Sequence, residues 1–222
     1  MNAMNLTLRV LASLLRYPDA ELRAHIGELR DALRDERALT TGRLRELDPL
    51  LDRLAFGDAL QLEAEYVDTF DRSRRSALHL FEHVHGDSRD RGPALVDLAQ
   101  TYERAGLVLR PGEMPDHLPV VLEFASTQPR REAKAFLAET AHIVRAIFSA
   151  LLERKSAYAS VLAAVLDLAG ERAERVAIPD DPALDEAWAE PAAFGGCSSA
   201  GQSRPDAPQP IRIVRQREEA RS

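Results

Sequence analysis

Residues 130–154 read RREAKAFLAETAHIVRAIFSALLER, twenty-five positions with neither glycine nor proline. Leu137, Ala141, Val144, Phe148 and Leu151 recur at steps of four, three, four and three. That period matches the α-helix and sets one apolar stripe against a charged face. Downstream, Val161, Leu162, Val165, Leu168 and Ala169 predict a further helix over residues 156–172. Upstream, Leu95, Leu98 and Tyr102 repeat the pattern until Gly106, with Gly92 and Pro93 suited to that helix's first turn and Ser88 or Asp90 to its cap. A helix over 116–124 tolerates Pro119 because it falls in the first turn. Leu62, Tyr66, Thr69 and Phe70 share a face of a helix that starts near Asp58. The expected helix over 44–56 contains Pro49. Leu22, Ile26, Leu29 and Leu33 predict one helix from Asp19, and Leu6, Val10, Leu14 and Tyr17 an opening helix closed by Pro18. No strand-like alternation persists, so the chain is expected to be all-α.

Composition agrees. Hydrophobic residues at 45% and charged residues at 29% belong to a globular chain rather than a disordered one. Leu, Ala, Arg and Glu dominate over a 5% aromatic content, and all four are good helix formers. After Val176 the character changes to an acidic stretch (Asp180, Asp181, Asp185, Glu186, Glu190), followed by Pro, Gly and Ser up to Pro210. The reading is one helical domain over 1–179 and a disordered tail over 180–222.

The net charge of −7 disfavours nucleic acid and anionic membrane. The basic residues Arg72, Arg74, Arg75, Arg89 and Arg91 alternate with aspartates, as on a solvated surface. Cys197 is the single cysteine, so neither an intrachain disulfide nor a cysteine metal cluster can form. No apolar run is read as reaching the ~20 residues that span a bilayer. The apolar stretch from Leu6 to Leu15 is broken by Arg9 and lacks a small-residue cleavage site, so it reads as a helix and not a signal peptide. Cytoplasm is the expected location.

Two local patterns carry chemistry. His79-Leu80-Phe81-Glu82-His83 spells His-x-x-Glu-His, the order of a zinc peptidase in which both histidines share a helix face and the glutamate is the base. Against this, Gly86 leaves room for about one turn, too little to hold a ligand helix. Glu113-Met114-Pro115-Asp116-His117 offers an Asp–His acid–base pair, or a helix start capped by Asp116. Glycine-rich phosphate loops and a serine nucleophile elbow are absent from the sequence.

The stretch Tyr66-Val67-Asp68-Thr69-Phe70-Asp71 and the block LHLFEHVHGDSRDRG at 78–92 together resemble the signature of NarJ-type nitrate reductase assembly chaperones. EMPDHLP at 113–119, followed by Leu122, Glu123 and Phe124, is similar to that family's Pro-Asp-His loop and its next helix. LASLLRYP at 11–18 resembles its first helix. Trp188-Ala-Glu-Pro with Phe194 resembles its late segment. The resemblance implies the all-helical fold of redox-enzyme maturation chaperones of the TorD and DmsD types. It also implies a role without catalysis or a cofactor of its own: binding the N-terminal segment of the nitrate reductase catalytic α subunit in the cytoplasm during molybdenum cofactor insertion. The peptide-binding residues it implies are Tyr66, Phe70, Leu78 and Phe81 as apolar walls, with Glu82, His83, Glu113, Pro115, Asp116 and His117 as the polar side and loop. Such a groove needs apolar walls plus a few polar clamps. The alternatives are the zinc peptidase and a nucleotide-responsive module. Some related chaperones are proposed to bind GTP, but no phosphate loop supports that here.

Overall fold

The computed structural model describes residues 4–177 apart from Asp87. The tail expected at 180–222, with Trp188, Phe194 and Cys197, lies outside the described residues.

Helix α9 (Arg130–Glu153) buries Leu137, Ala141, Val144, Phe148 and Leu151 as their spacing predicts, and Ile143 and Ile147 widen the stripe. The chain reverses through Lys155, at φ 54°, into α10 (Ala159–Ala169), which is buried on nearly every side. These two helices form the most extensive packing in the molecule. By length and apolar character α9 is long enough to cross a bilayer, contrary to the expectation that no segment is. Half of that stretch is buried within the protein, as in a core helix.

Against this pair pack α1 (Asn5–Leu14) and α8 (Leu118–Thr127). The expected phase of α1 is partly corrected. Val10 and Leu14 are buried with Leu8, Leu11 and Leu15, whereas Leu6 and Tyr17 are exposed. The single helix expected after Asp19 is broken at His25 (φ −101°, ψ 4°) into α2 (Ala20–Ala24) and α3 (Ile26–Glu36). Asp19 caps α2 by accepting a hydrogen bond from Leu22 N at 2.8 Å. Helix α4 (Thr41–Phe56) begins three residues earlier than its apolar pattern suggests, because Thr40 caps it, and it accommodates Pro49 internally.

Helix α5 (Ala59–Tyr66), capped by Asp58, runs into a π-helical turn at Val67–Asp71. Thr69 and Phe70 are both buried beside Tyr66. The Tyr66 hydroxyl donates to Leu15 O at 2.8 Å. The Phe70 ring lies 4.9 Å from that of Tyr66 and 5.0 Å from that of Tyr158. After a short 3-10 turn at Arg74–Ser76 come α6 (Leu80–His85) and α7 (Arg91–Arg104). Helix α6 is short, as the position of Gly86 predicts, and is closed by Gly86 at φ 53°. A second small core joins Tyr102, Val120 and Phe124. Among the described residues there is no strand. A lone antiparallel bridge pairs His79 with His117.

Candidate functional site

The bridge ties the start of α6 to the loop before α8. Leu80 N donates to Asp116 O at 3.0 Å and Leu118 N to Leu78 O at 2.9 Å. Between these rungs the Asp116 side chain is fully buried. One carboxylate oxygen accepts from Phe81 N at 3.1 Å, and the other lies 3.3 Å from His79 Nδ1. Asp116 therefore caps α6 rather than its own helix. The expected cap of α8 is corrected: that helix starts after His117 without a side-chain cap. The sequence distance of 35 residues between Asp116 and Phe81 hid this pairing from local reading. Burial works to raise the Asp116 pKa, but the hydrogen bonds from His79 and Phe81 N outweigh it and hold the carboxyl below its ordinary value.

His79 and His117 stack, with ring centres 4.9 Å apart. Their basicities diverge. The hydrogen bond to Asp116 raises the His79 pKa. Burial, with His79 and Arg16 nearby, lowers that of His117 to about 4. The stacked pair thus keeps its proton on the ring that faces the carboxylate. The peptidase arrangement fails on geometry. His79 precedes the helix in extended conformation (φ −84°, ψ 104°), so it does not share a helical face with His83. The His83 Nε2–H instead donates to Ala77 O at 2.8 Å, and Glu82 pairs with Arg91 at 3.1 Å.

Of the expected peptide-binding residues, Tyr66, Phe70, Leu78, Pro115 and Asp116 are buried. Their side chains support the surface from beneath, so Asp116 is not open to clamp a cationic side chain. Phe81, Glu82, His83, Glu113 and His117 are partly exposed. Glu113 alone among them lines a groove of about 850 Å³. Helix α1 contributes Leu6 and Arg9 to it, the 107–110 loop contributes Val108 and Arg110, and α8 contributes Val120 and Phe124. Val108 is 86% exposed and Leu6 43%, so the groove presents uncovered apolar side chains. At one end Arg16 holds Glu123 at 2.8 Å and Glu113 at 3.4 Å. The Tyr102 hydroxyl fixes the adjoining loop by donating to Pro115 O at 2.8 Å.

The family described as nitrate reductase delta subunit matches this chain over residues 16–164. The chain belongs to that family. A relative from Escherichia coli strain K12, named nitrate reductase molybdenum cofactor assembly chaperone NarJ, is 40% identical over 193 residues, covering 82% of each chain. From the same organism, a protein named as the probable assembly chaperone NarW is 38% identical, with 82% of this chain and 80% of that one covered. A Bacillus subtilis protein named as a probable NarJ chaperone is 30% identical over 72% of this chain and 86% of its own. Among solved structures, a redox enzyme maturation protein from Archaeoglobus fulgidus shares the fold. Its TM-score is 0.53 at 22% identity, over 76% of this chain and 94% of that one. These relatives are named as assembly and maturation proteins, not as catalysts.

Within this delta-family chain the matched span contains all ten residues expected at the site. Sequence reading missed the groove's apolar walls. Leu6 sits at helical spacing with Val10 and Leu14 yet faces outward, and Val108 lies in a loop where no period marks it. Exposure is a property of the assembled helices, and no local signal encodes it.

Proposed function

We propose that this chain is an assembly chaperone for a molybdenum-containing nitrate reductase. It would hold the N-terminal segment of the catalytic α subunit in the cytoplasm while the cofactor is inserted. The observation that carries this reading is the open apolar groove beside the Pro-Asp-His loop, in a chain of a family whose named relatives are nitrate reductase assembly chaperones. An amphipathic segment lays its apolar face into such a groove. Leu6, Val108, Val120 and Phe124 supply the matching wall. The peptide surface then extends from the groove past Glu113 to His117, Phe81, Glu82 and His83. Tyr66, Phe70, Leu78, Pro115 and Asp116 act as its buried support. Calorimetry with the full chain and a synthetic peptide of the α subunit's N-terminus tests this. Saturable binding that Val108→Asp abolishes is expected. An α subunit that neither binds as a peptide nor co-purifies with the chain would overturn the reading.

A further inference from the structure

We propose that Tyr102 is a positioning residue of the peptide surface: it pins both ends of the loop over residues 107–115 and so sets the groove wall and the Pro-Asp-His loop in one register. The inference rests on the peptide-binding reading above and names the residue that joins its two parts. Among the residues of α7, Tyr102 alone is buried, at 2% exposure. Its backbone oxygen accepts from Leu107 N at 3.0 Å, and Gly106 N donates to Glu103 O at 2.8 Å. With Gly106 at φ 80°, these two bonds end α7 in a Schellman turn and aim the chain into the loop. The loop runs through Val108 and Arg110 on the groove and comes back to Pro115, whose carbonyl takes the Tyr102 hydroxyl at 2.8 Å. One residue therefore closes the loop at its first and last positions.

Different surfaces lie at the two ends. On the groove side the Tyr102 ring is part of the lining, with its centre 4.5 Å from that of Phe124. On the other side Pro115 leads directly into Asp116, which is bonded to Leu80 N and Phe81 N and faces His79. The hydroxyl is thus a buried tie between an apolar wall and the surface that carries His117, Phe81 and Glu82. A second tie runs from Arg16 to Glu113 at 3.4 Å, with the arginine side chain 37% exposed, where an ion pair contributes little. Removing the hydroxyl leaves the Pro115 carbonyl without that donor, and the loop gains freedom that a bound segment has to remove again. A segment confined to the groove does not meet that cost, because the ring and the bond to Leu107 stay in place. A segment that spans groove and loop meets it in full.

The probe is a synthetic peptide of the nitrate reductase α subunit's N-terminus, with versions shortened one residue at a time from either end. Binding to the full chain is measured by calorimetry below the melting transition of each variant. The shortest peptide whose binding Val108→Asp still abolishes marks the segment held by the groove. Tyr102→Phe keeps the ring and loses the hydroxyl. It is expected to weaken the full peptide about five- to tenfold and to leave the shortest one within about twofold of its affinity for the parent protein. A role in stability alone would weaken both by the same factor. Gly106→Ala loosens the other end of the loop through backbone strain, since a Cβ there meets open space. It is expected to weaken both peptides, because Val108 moves with that turn. Equal losses for the two peptides in Tyr102→Phe, or no loss for either, overturn the proposal while the groove reading stands. A Gly106→Ala chain that binds the shortest peptide as tightly as the parent also overturns it. If the parent protein does not bind the peptide, the functional reading falls first and takes the proposal with it.

Discussion

Asp116 sits on the loop before α8 and closes the first turn of α6, so one side chain holds two elements that share no local sequence. Asp116→Asn keeps an acceptor for Phe81 N but turns an amide or a neutral oxygen toward His79. We expect a loss of about 1–3 kcal/mol of stability, since a buried charged partner is removed, together with a fall in the His79 pKa that ring NMR titration reads directly. An unmoved His79 titration would show that Asp116 is not its partner. His117 gives a second test. Its folded pKa of about 4 lies below the unfolded value near 6.5, so the unfolded state binds the proton first. Stability must therefore fall as pH drops from about 6.5 to 4, by roughly 2–3 kcal/mol from this group. His79 acts the other way. Its raised pKa contributes stability that is fully present below about pH 6.5 and is lost as pH rises through the folded value. In urea unfolding, His117→Gln should lose less stability than the parent protein on going from pH 7.5 to pH 5.

At the scale of elements, α9 and α10 carry the core. Phe148 sits at the middle of the α9 stripe, 7% exposed. Phe148→Ala should cost about 3–5 kcal/mol by opening a cavity, read as a lower urea midpoint with an unchanged slope. An unchanged midpoint would mean that the side chain does not fill the core. The corner between α4 and α5 is fixed in another way. A Cβ on Gly57 would lie 2.5 Å from Arg53 O, and Gly57 N already donates to that oxygen at 2.8 Å. Arg23 bonds the carbonyls of Leu54 and Gly57 from α2. The corner is thus clamped from both sides, and α5 leaves it in a direction that brings Tyr66 against Leu15 and Tyr158.

For the whole molecule, composition beyond Val176 leads us to propose that residues 180–222 are dispensable for folding. A chain ending at residue 179 should unfold cooperatively at the parent's urea midpoint, and limited proteolysis of the full chain should stop at a fragment of that size. A truncated chain that loses cooperativity would refute the division. The sequence by itself determined the helical class, the phase of α9 and α10, and the helix starts near Asp19 and Asp58. Each of these depends on residues within a turn or two of one another, where period and hydrogen-bond reach are set by the backbone. It also determined the family, through the blocks at 66–71, 78–92 and 113–119. Tertiary structure alone decided that His25 breaks a continuous pattern and that Leu6 faces a groove instead of the core. It also decided that Asp116 caps a helix 35 residues upstream and not its own. Those outcomes depend on which surfaces meet when the helices pack, and burial and long-range hydrogen bonds exist only after that packing has occurred.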